Sequence, residues 1–413
     1  MKAFLLLSIL GSFLWADSLN DYFSVEEIAR SHSFYQRQDF LLWIRFFLTE
    51  FVLMLLLFTR IFLKIDSLWD RLYKKLFSRL SPFTKRLKLN FGILPCVIFK
   101  VFCWIFFIEC YEFLVKLPIN YFLHQLSLEY QMTGRNFLEY YQDSMPHSIL
   151  RLFRRCSYAI LLMTFYKVST RWWWIPLALI SIFIQFMTNQ LSQAAENERD
   201  GVILQKPLEA GELRTQLEQA IAKIGVPVSE IKYSDESKRT KAPNAWVLSA
   251  SGKNVLFFTD TCFQFSNPAL VNICFHELAH IHFQHPQQRR CLEYSLLILK
   301  YLLVALGLSF FLPRRFSDST AYQESNQSLV FVCCVCLLFP IVTVTLDAGF
   351  NLCIQQQELE AERYAVQLSN DPESMIQVRK QMALESLLRL EEPWWWFLES
   401  HPNILRFFSA VRK

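Results

Sequence analysis

The stretch VNICFHELAHIHFQH, residues 271–285, contains the pentapeptide HELAH at 276–280. Two histidines four residues apart lie on one face of a helix about one turn apart, so His276 and His280 can both reach a single metal ion. Glu277 then faces the open position of that ion, where it can take a proton from water and pass it to the leaving amine of a peptide. No Pro or Gly interrupts the flanks until Pro286, and apolar residues recur at helical spacing, so one helix through both histidines is expected. His282 and His285 fall beyond the motif and read as packing or surface residues. A hydrolytic zinc site needs a third protein ligand and keeps its fourth position for water. QQQELEAERYA, residues 355–365, offers Glu358, Glu360 and Glu362 on a second helical pattern. One of these acids can coordinate while another, one turn away, supports a ligand from behind.

The chain around this motif is apolar. Of its 413 residues 53% are hydrophobic, with 39 Phe and only 9 Gly, a balance that suits a membrane better than water. A bilayer crossing takes about 20 apolar residues in a helix. Residues 40–63, 93–117, 149–170, 172–187, 295–312 and 328–354 meet that demand, some carrying a charge that must face protein or water. Residues 3–15, between Lys2 and Ala16, are either a signal-peptide core or a short first crossing, which brings the expectation to about seven transmembrane helices. The longest polar-rich stretch holds HELAH. The expected organisation is therefore an N-terminal membrane region over 1–187, a metalloprotease domain over 188–294, two further crossings over 295–354, and the rest of the protease domain over 355–413. A net charge of +5, with Lys and Arg gathered between segments, argues against nucleic acid as a partner. Eleven Cys, several inside apolar runs such as Cys96, Cys103, Cys110 and Cys334, read as reduced, buried small hydrophobes.

Several blocks together resemble one family, the integral-membrane zinc proteases of the CAAX prenyl protease 1 (Ste24) type within peptidase family M48. Residues 211–261, GELRTQLEQAIAKIGVPVSEIKYSDESKRTKAPNAWVLSASGKNVLFFTDT, resemble the family stretch that leads into its metal helix. HELAH stands where HELGH is usual, and ELEAERYA resembles the family's pattern around its third ligand. SHPNILR at 400–406 resembles the C-terminal block, while 26–40 and 117–137 resemble the segments after the first and third membrane helices.

The resemblance implies a mostly α-helical, polytopic membrane protein with its helices ringed around an internal chamber, plus a zincin-like domain with a small β-sheet. It implies one Zn2+ per chain on His276, His280 and Glu358, with Glu277 as base and Glu362 supporting a ligand from behind. Asn244 and Ala245 would lie on an edge strand that pairs with the substrate backbone. His401 would stabilise the oxyanion and Arg406 would hold that region together. Substrates would be peptides or proteins, prenylated or not, met at the lipid bilayer. The location would be endoplasmic reticulum or nuclear membrane in a eukaryote, or inner membrane in a bacterium. Three departures stand out: Glu362 replaces Asp, Trp246 replaces Tyr, and Ala242-Pro243 replaces His-Ser. Orientation divides two arguments, since the family places its zinc domain in the cytosol whereas Lys64, Arg71, Lys74 and Lys75 fall on the opposite face if seven crossings hold. The expected function is removal of the C-terminal CAAX tripeptide or cleavage of related membrane-associated peptides. A quality-control protease without prenyl dependence is the alternative, and a non-enzymatic scaffold is the weaker third.

Overall fold

The computed structural model describes residues 19–51, 94–169, 171–198, 205–250, 253–311, 321–390 and 399–412, with short stretches between 64 and 75. Most of the described chain is helical, and it carries one small mixed sheet. Helix α1 (Val25–Phe46) starts at a capping box, in which Ser24 and Glu27 each accept from the other's backbone N–H, and runs into a π-helical turn, Phe47–Phe51. The long helices that follow are α2 (Leu94–Glu129), α3 (Phe137–Val168) and α4 (Trp174–Glu198). Asn136 and Glu139 form a second capping box at the start of α3.

Large apolar side chains point outward from these helices, among them Phe102, Phe106, Leu114, Leu150, Phe153 and Phe183. Inward, Leu162, Trp173, Leu177, Val304 and Phe331 form a separate apolar core, with the rings of Tyr166 and Phe331 stacked. Among the described residues, two helical stretches are long and apolar enough to cross a bilayer, His285–Ser309 and Leu338–Ser369, and Trp174–Gln190 is a shorter apolar one. The expected segments at 93–117 and 149–170 fall largely within α2 and α3, where they carry charges that meet between the helices. Arg155 reaches Glu109 at 2.6 Å and Glu112 at 2.8 Å, and Lys116 also donates to Glu112. Residues 3–15 and 52–63 lie outside the described residues. Cys110, expected to be buried, is exposed, whereas Cys156, Cys262 and Cys274 are buried, and all of these thiols are free.

The sheet-bearing half is built on strands β1 (Gln205–Pro207), β2 (Glu230–Ser234), β3 (Ala245–Ala250) and β4 (Lys253–Thr259) in the order β1-β2-β4-β3. β2 and β4 run parallel, the other pairs antiparallel. β4 is covered on both faces, which is why it reads as the unbroken apolar run VLFF rather than as an alternation. β3 is left at the edge. Helix α5 (Glu212–Ile224) precedes β2, and α6 (Asn267–His282) follows β4, burying Leu270, Ile273, Cys274, Leu278 and Ala279. Helix α7 (His285–Phe311) and helix α8 (Ala321–Ser369) are continuous from apolar ends into the sheet-bearing half, and α9 (Pro372–Glu385) and α10 (Ile404–Val411) follow them. At about 1.5 Å per residue, the 49 residues of α8 amount to roughly 74 Å along the helix, with Pro340 inside it, so one element runs from the apolar bundle to α6.

Candidate metal centre

Helix α6 presents His276 and His280 to helix α8, and the two elements share a continuous core that includes Leu278, Leu359 and Ala365. The Nε2 atoms of His276 and His280 lie 3.3 Å apart. Glu358 brings one oxygen to 3.4 Å from His276 Nε2 and the other to 3.6 Å from His280 Nε2. Ligands about 2.0–2.1 Å from a tetrahedral zinc are separated by roughly 3.3–3.4 Å, so the two imidazole nitrogens have the spacing of one edge of such a tetrahedron, and each has one Glu358 oxygen at a similar distance. A His₂-carboxylate set with the remaining direction opening into a cavity is also the donor chemistry of a hydrolytic metal site. These residues could hold the ion, and they are the group of His, Cys, Asp and Glu side chains that converges in this way among the described residues.

Of the three acids left open by the sequence, each turns a different way. Glu358 meets both imidazoles. Glu362, fully buried, accepts from Nδ1–H of His276 at 2.8 Å. Glu360 faces His285 at 3.2 Å. His282 stacks on Tyr364, in keeping with a packing role. His285 differs from its sequence reading: it is almost wholly buried, and both its ring nitrogens have polar partners.

Two arginines were not legible in the sequence. Arg379 on α9 grips Glu362 with Nε at 2.9 Å and Nη2 at 2.6 Å, its guanidinium lying 4.8 Å over the Phe407 ring. Arg289 on α7 donates to Glu358 at 2.9 Å and to Gln357 at 2.6 Å. Each sits many residues from its partner, within stretches that read as ordinary amphipathic helix, so no local signal marks it.

Burial sets the protonation pattern. It raises the Glu277 carboxyl to about 7, with His276 acting against the shift and Glu358 adding to it. The His280 ring is lowered to about 4, chiefly by burial. At His276 burial and Arg379 both oppose the charged form, but hydrogen bonds to Glu358 and Glu362 outweigh them and raise the ring to about 9.

A cavity of about 1080 Å³ opens beside these groups, lined by Glu277, His401, Asn244, Ala245 and Trp246 among others. Ala245 opens edge strand β3 opposite Phe258. Asn244 stands one residue earlier, with its backbone N–H donating to Thr259 Oγ1 at 2.8 Å. His401 is exposed, with Nδ1 3.7 Å from Glu358, and its segment is tied to α8 by the Gln355 amide donating to the Glu399 carbonyl at 2.7 Å. Arg406 is half-buried on α10, where its backbone N–H donates to the Asn403 carbonyl.

The sequence pattern of peptidase family M48 matches residues 207–413. The chain is 21% identical over 328 residues to the "Uncharacterized metalloprotease YhfN" of Bacillus subtilis, a match spanning 75% of this chain and 72% of that one. It is 27% identical over 164 residues to the "Probable CAAX prenyl protease 1" of Schizosaccharomyces pombe, covering 39% of this chain and 34% of the relative. The crystal structure of S. mikatae Ste24p superposes with a TM-score of 0.62 at 14% identity, over 94% of this chain and 99% of that one, a likeness of fold. With the family pattern running over half the chain and taking in each of the converging residues described above, the chain belongs to peptidase family M48, the metallopeptidases.

Proposed function

We propose that the chain is a membrane zinc endopeptidase of the CAAX prenyl protease 1 type, with one Zn2+ held by His276, His280 and Glu358. The observation that carries this reading is the convergence of those three side chains at the wall of a cavity shared with an edge strand. The bound ion supplies Lewis acidity, polarising a carbonyl and making a water easier to deprotonate. With the ion bound, Glu277 would accept a proton from water and return it to the leaving amine, a role that suits a buried carboxyl whose pKa burial raises from the ordinary value. His401 donates to the oxygen on which negative charge develops, and Arg406 helps hold the segment that carries it. The free edge of β3 near Asn244 and Ala245 takes the substrate as an added strand. Glu362, gripped by Arg379, fixes the His276 ring through its Nδ1–H.

The likeness to a CAAX prenyl protease 1 and the Ste24p fold support about seven membrane crossings around an internal chamber, with 188–294 and 355–413 forming the protease part. They also support C-terminal tripeptide removal from prenylated substrates. A cleavage assay tests this directly, comparing a farnesylated CAAX peptide, its unlipidated twin and an unfolded membrane protein. Preferential cleavage of the farnesylated peptide is expected, and preference for the unfolded protein would favour the quality-control alternative. Glu277→Gln should retain the metal and lose about 10²–10⁴ in kcat; undiminished turnover in that variant would remove Glu277 as the base.

A further inference from the structure

The hydrogen-bond partner of the second histidine of HELAH is not used in the mechanism above. Helix α6 ends at His282, Gln284 takes the left-handed backbone conformation with φ 58°, and α7 starts at once with His285. In an uninterrupted helix a residue five places on would lie about 140° round the axis, facing away. The sharp turn at Gln284 instead folds His285 back against His280, with the two Nδ1 atoms 2.9 Å apart. The other nitrogen of His285 lies 3.2 Å from Glu360, and its side chain is 1% exposed.

Only one arrangement of protons satisfies this chain. His280 turns Nε2 toward His276 and Glu358, so a ligand lone pair at Nε2 requires the proton on Nδ1. That Nδ1–H must then donate to the unprotonated Nδ1 of His285, which leaves the His285 proton on Nε2, pointing at the Glu360 carboxylate. Each donor faces an acceptor in sequence. The ring of His285 also stacks on Phe283, with centroids 5.6 Å apart, but stacking alone would leave two buried polar nitrogens without partners, at an energetic cost.

We infer that His285 and Glu360 are positioning residues that fix the tautomer and orientation of His280, forming a relay Glu360–His285–His280 that parallels the direct support of His276 by Glu362. The inference rests on the zinc reading proposed above. It assigns His285 a hydrogen-bond acceptor role at the position of Nδ1, which an Asn side chain can reproduce with Oδ1 and an Ala cannot. Glu360, half-exposed at 52%, contributes less because water can replace it.

The test uses the full chain in detergent, stripped of metal and titrated with Zn2+ against a competing chromophoric chelator, with Co2+ absorption as a second readout of ligand geometry. His285→Ala should weaken Zn2+ binding about 10–100-fold and shift the Co2+ bands, the range expected for loss of a ligand's outer hydrogen bond. His285→Asn should keep both near the parent values, and Glu360→Ala should lose about tenfold, the lower end of that range. Equal affinity in parent and His285→Ala overturns the relay, as does His285→Asn binding as weakly as His285→Ala. Should His285→Ala not fold, parent-like affinity and Co2+ bands in Glu360→Ala overturn it, and weakened binding there with parent-like His285→Asn supports it. His276→Ala is run alongside: if it keeps parental affinity the metal assignment itself fails, whereas loss there without loss in His285→Ala sinks only the relay.

Discussion

At the scale of single residues, the centre is a set of buried charges whose neighbours decide how each behaves. Glu277 must be ionised to accept a proton, and burial raises its carboxyl to about 7. A dication at the centre acts in the opposite sense, favouring the carboxylate. Activity should therefore fall as pH is lowered, with an acid-limb midpoint in kcat/KM at or below about 7, read from a pH–rate profile with a saturating metal concentration. A midpoint well above 7 would assign that limb to another group. Arg379 presents a different case. Its guanidinium neutralises Glu362, which has no exposed surface. Arg379→Met leaves that buried carboxylate with only the His276 ring as partner and should cost about 3–5 kcal/mol, measured by denaturant or thermal unfolding in detergent, because the guanidinium that balances most of its charge is gone. The double variant Arg379→Met/Glu362→Met should be less destabilised than the single one.

Among the elements, β3 has the clearest functional consequence. Among the described residues it pairs with β4 on one side only, so its other edge offers backbone N–H and C=O groups beside the cavity that it lines. A substrate lying along it would be held by main-chain hydrogen bonds. Methylating one backbone nitrogen in the peptide segment that pairs with β3 should lower kcat/KM at least about tenfold, through loss of one hydrogen bond of about 1–1.5 kcal/mol and the added bulk. Equal cleavage of the methylated and plain peptides would mean that the strand edge does not bind substrate. The i, i+4 pattern of His276 and His280 implied one helix, and α6 runs through both from Asn267 to His282. The α8 pattern likewise implied a helix through Glu358, Glu360 and Glu362, but their order along it says nothing of which neighbour each faces.

The whole molecule joins its two halves through long-range polar contacts. Arg389 grips Asp39 of α1 with two hydrogen bonds, at 2.8 and 2.7 Å, and Ser31 of α1 donates to the Leu388 carbonyl at 3.0 Å. In the apolar half, Lys300 of α7 meets Asp347 of α8 at 2.6 Å, neutralising two charges within helices apolar enough to cross a bilayer. With apolar side chains facing outward from several helices, the chain should remain with the membrane pellet after alkaline carbonate extraction and be released by detergent. Recovery in the carbonate-soluble fraction would rule out a membrane-spanning arrangement.

What the sequence by itself determined was local. Helical periodicity arises from backbone hydrogen bonds between near neighbours, so HELAH could be placed on one face of a helix, and the apolar runs within α2, α3, α4, α7 and α8 could be recognised as long helices, from residue order alone. Tertiary structure decided which groups converge. It turned Glu358 rather than Glu360 toward the imidazoles, brought Arg379 to Glu362 from a separate helix, and used the left-handed turn at Gln284 to fold His285 onto His280. Those contacts depend on how helices far apart in the chain pack their apolar faces, and packing of that kind leaves no period in the sequence to read.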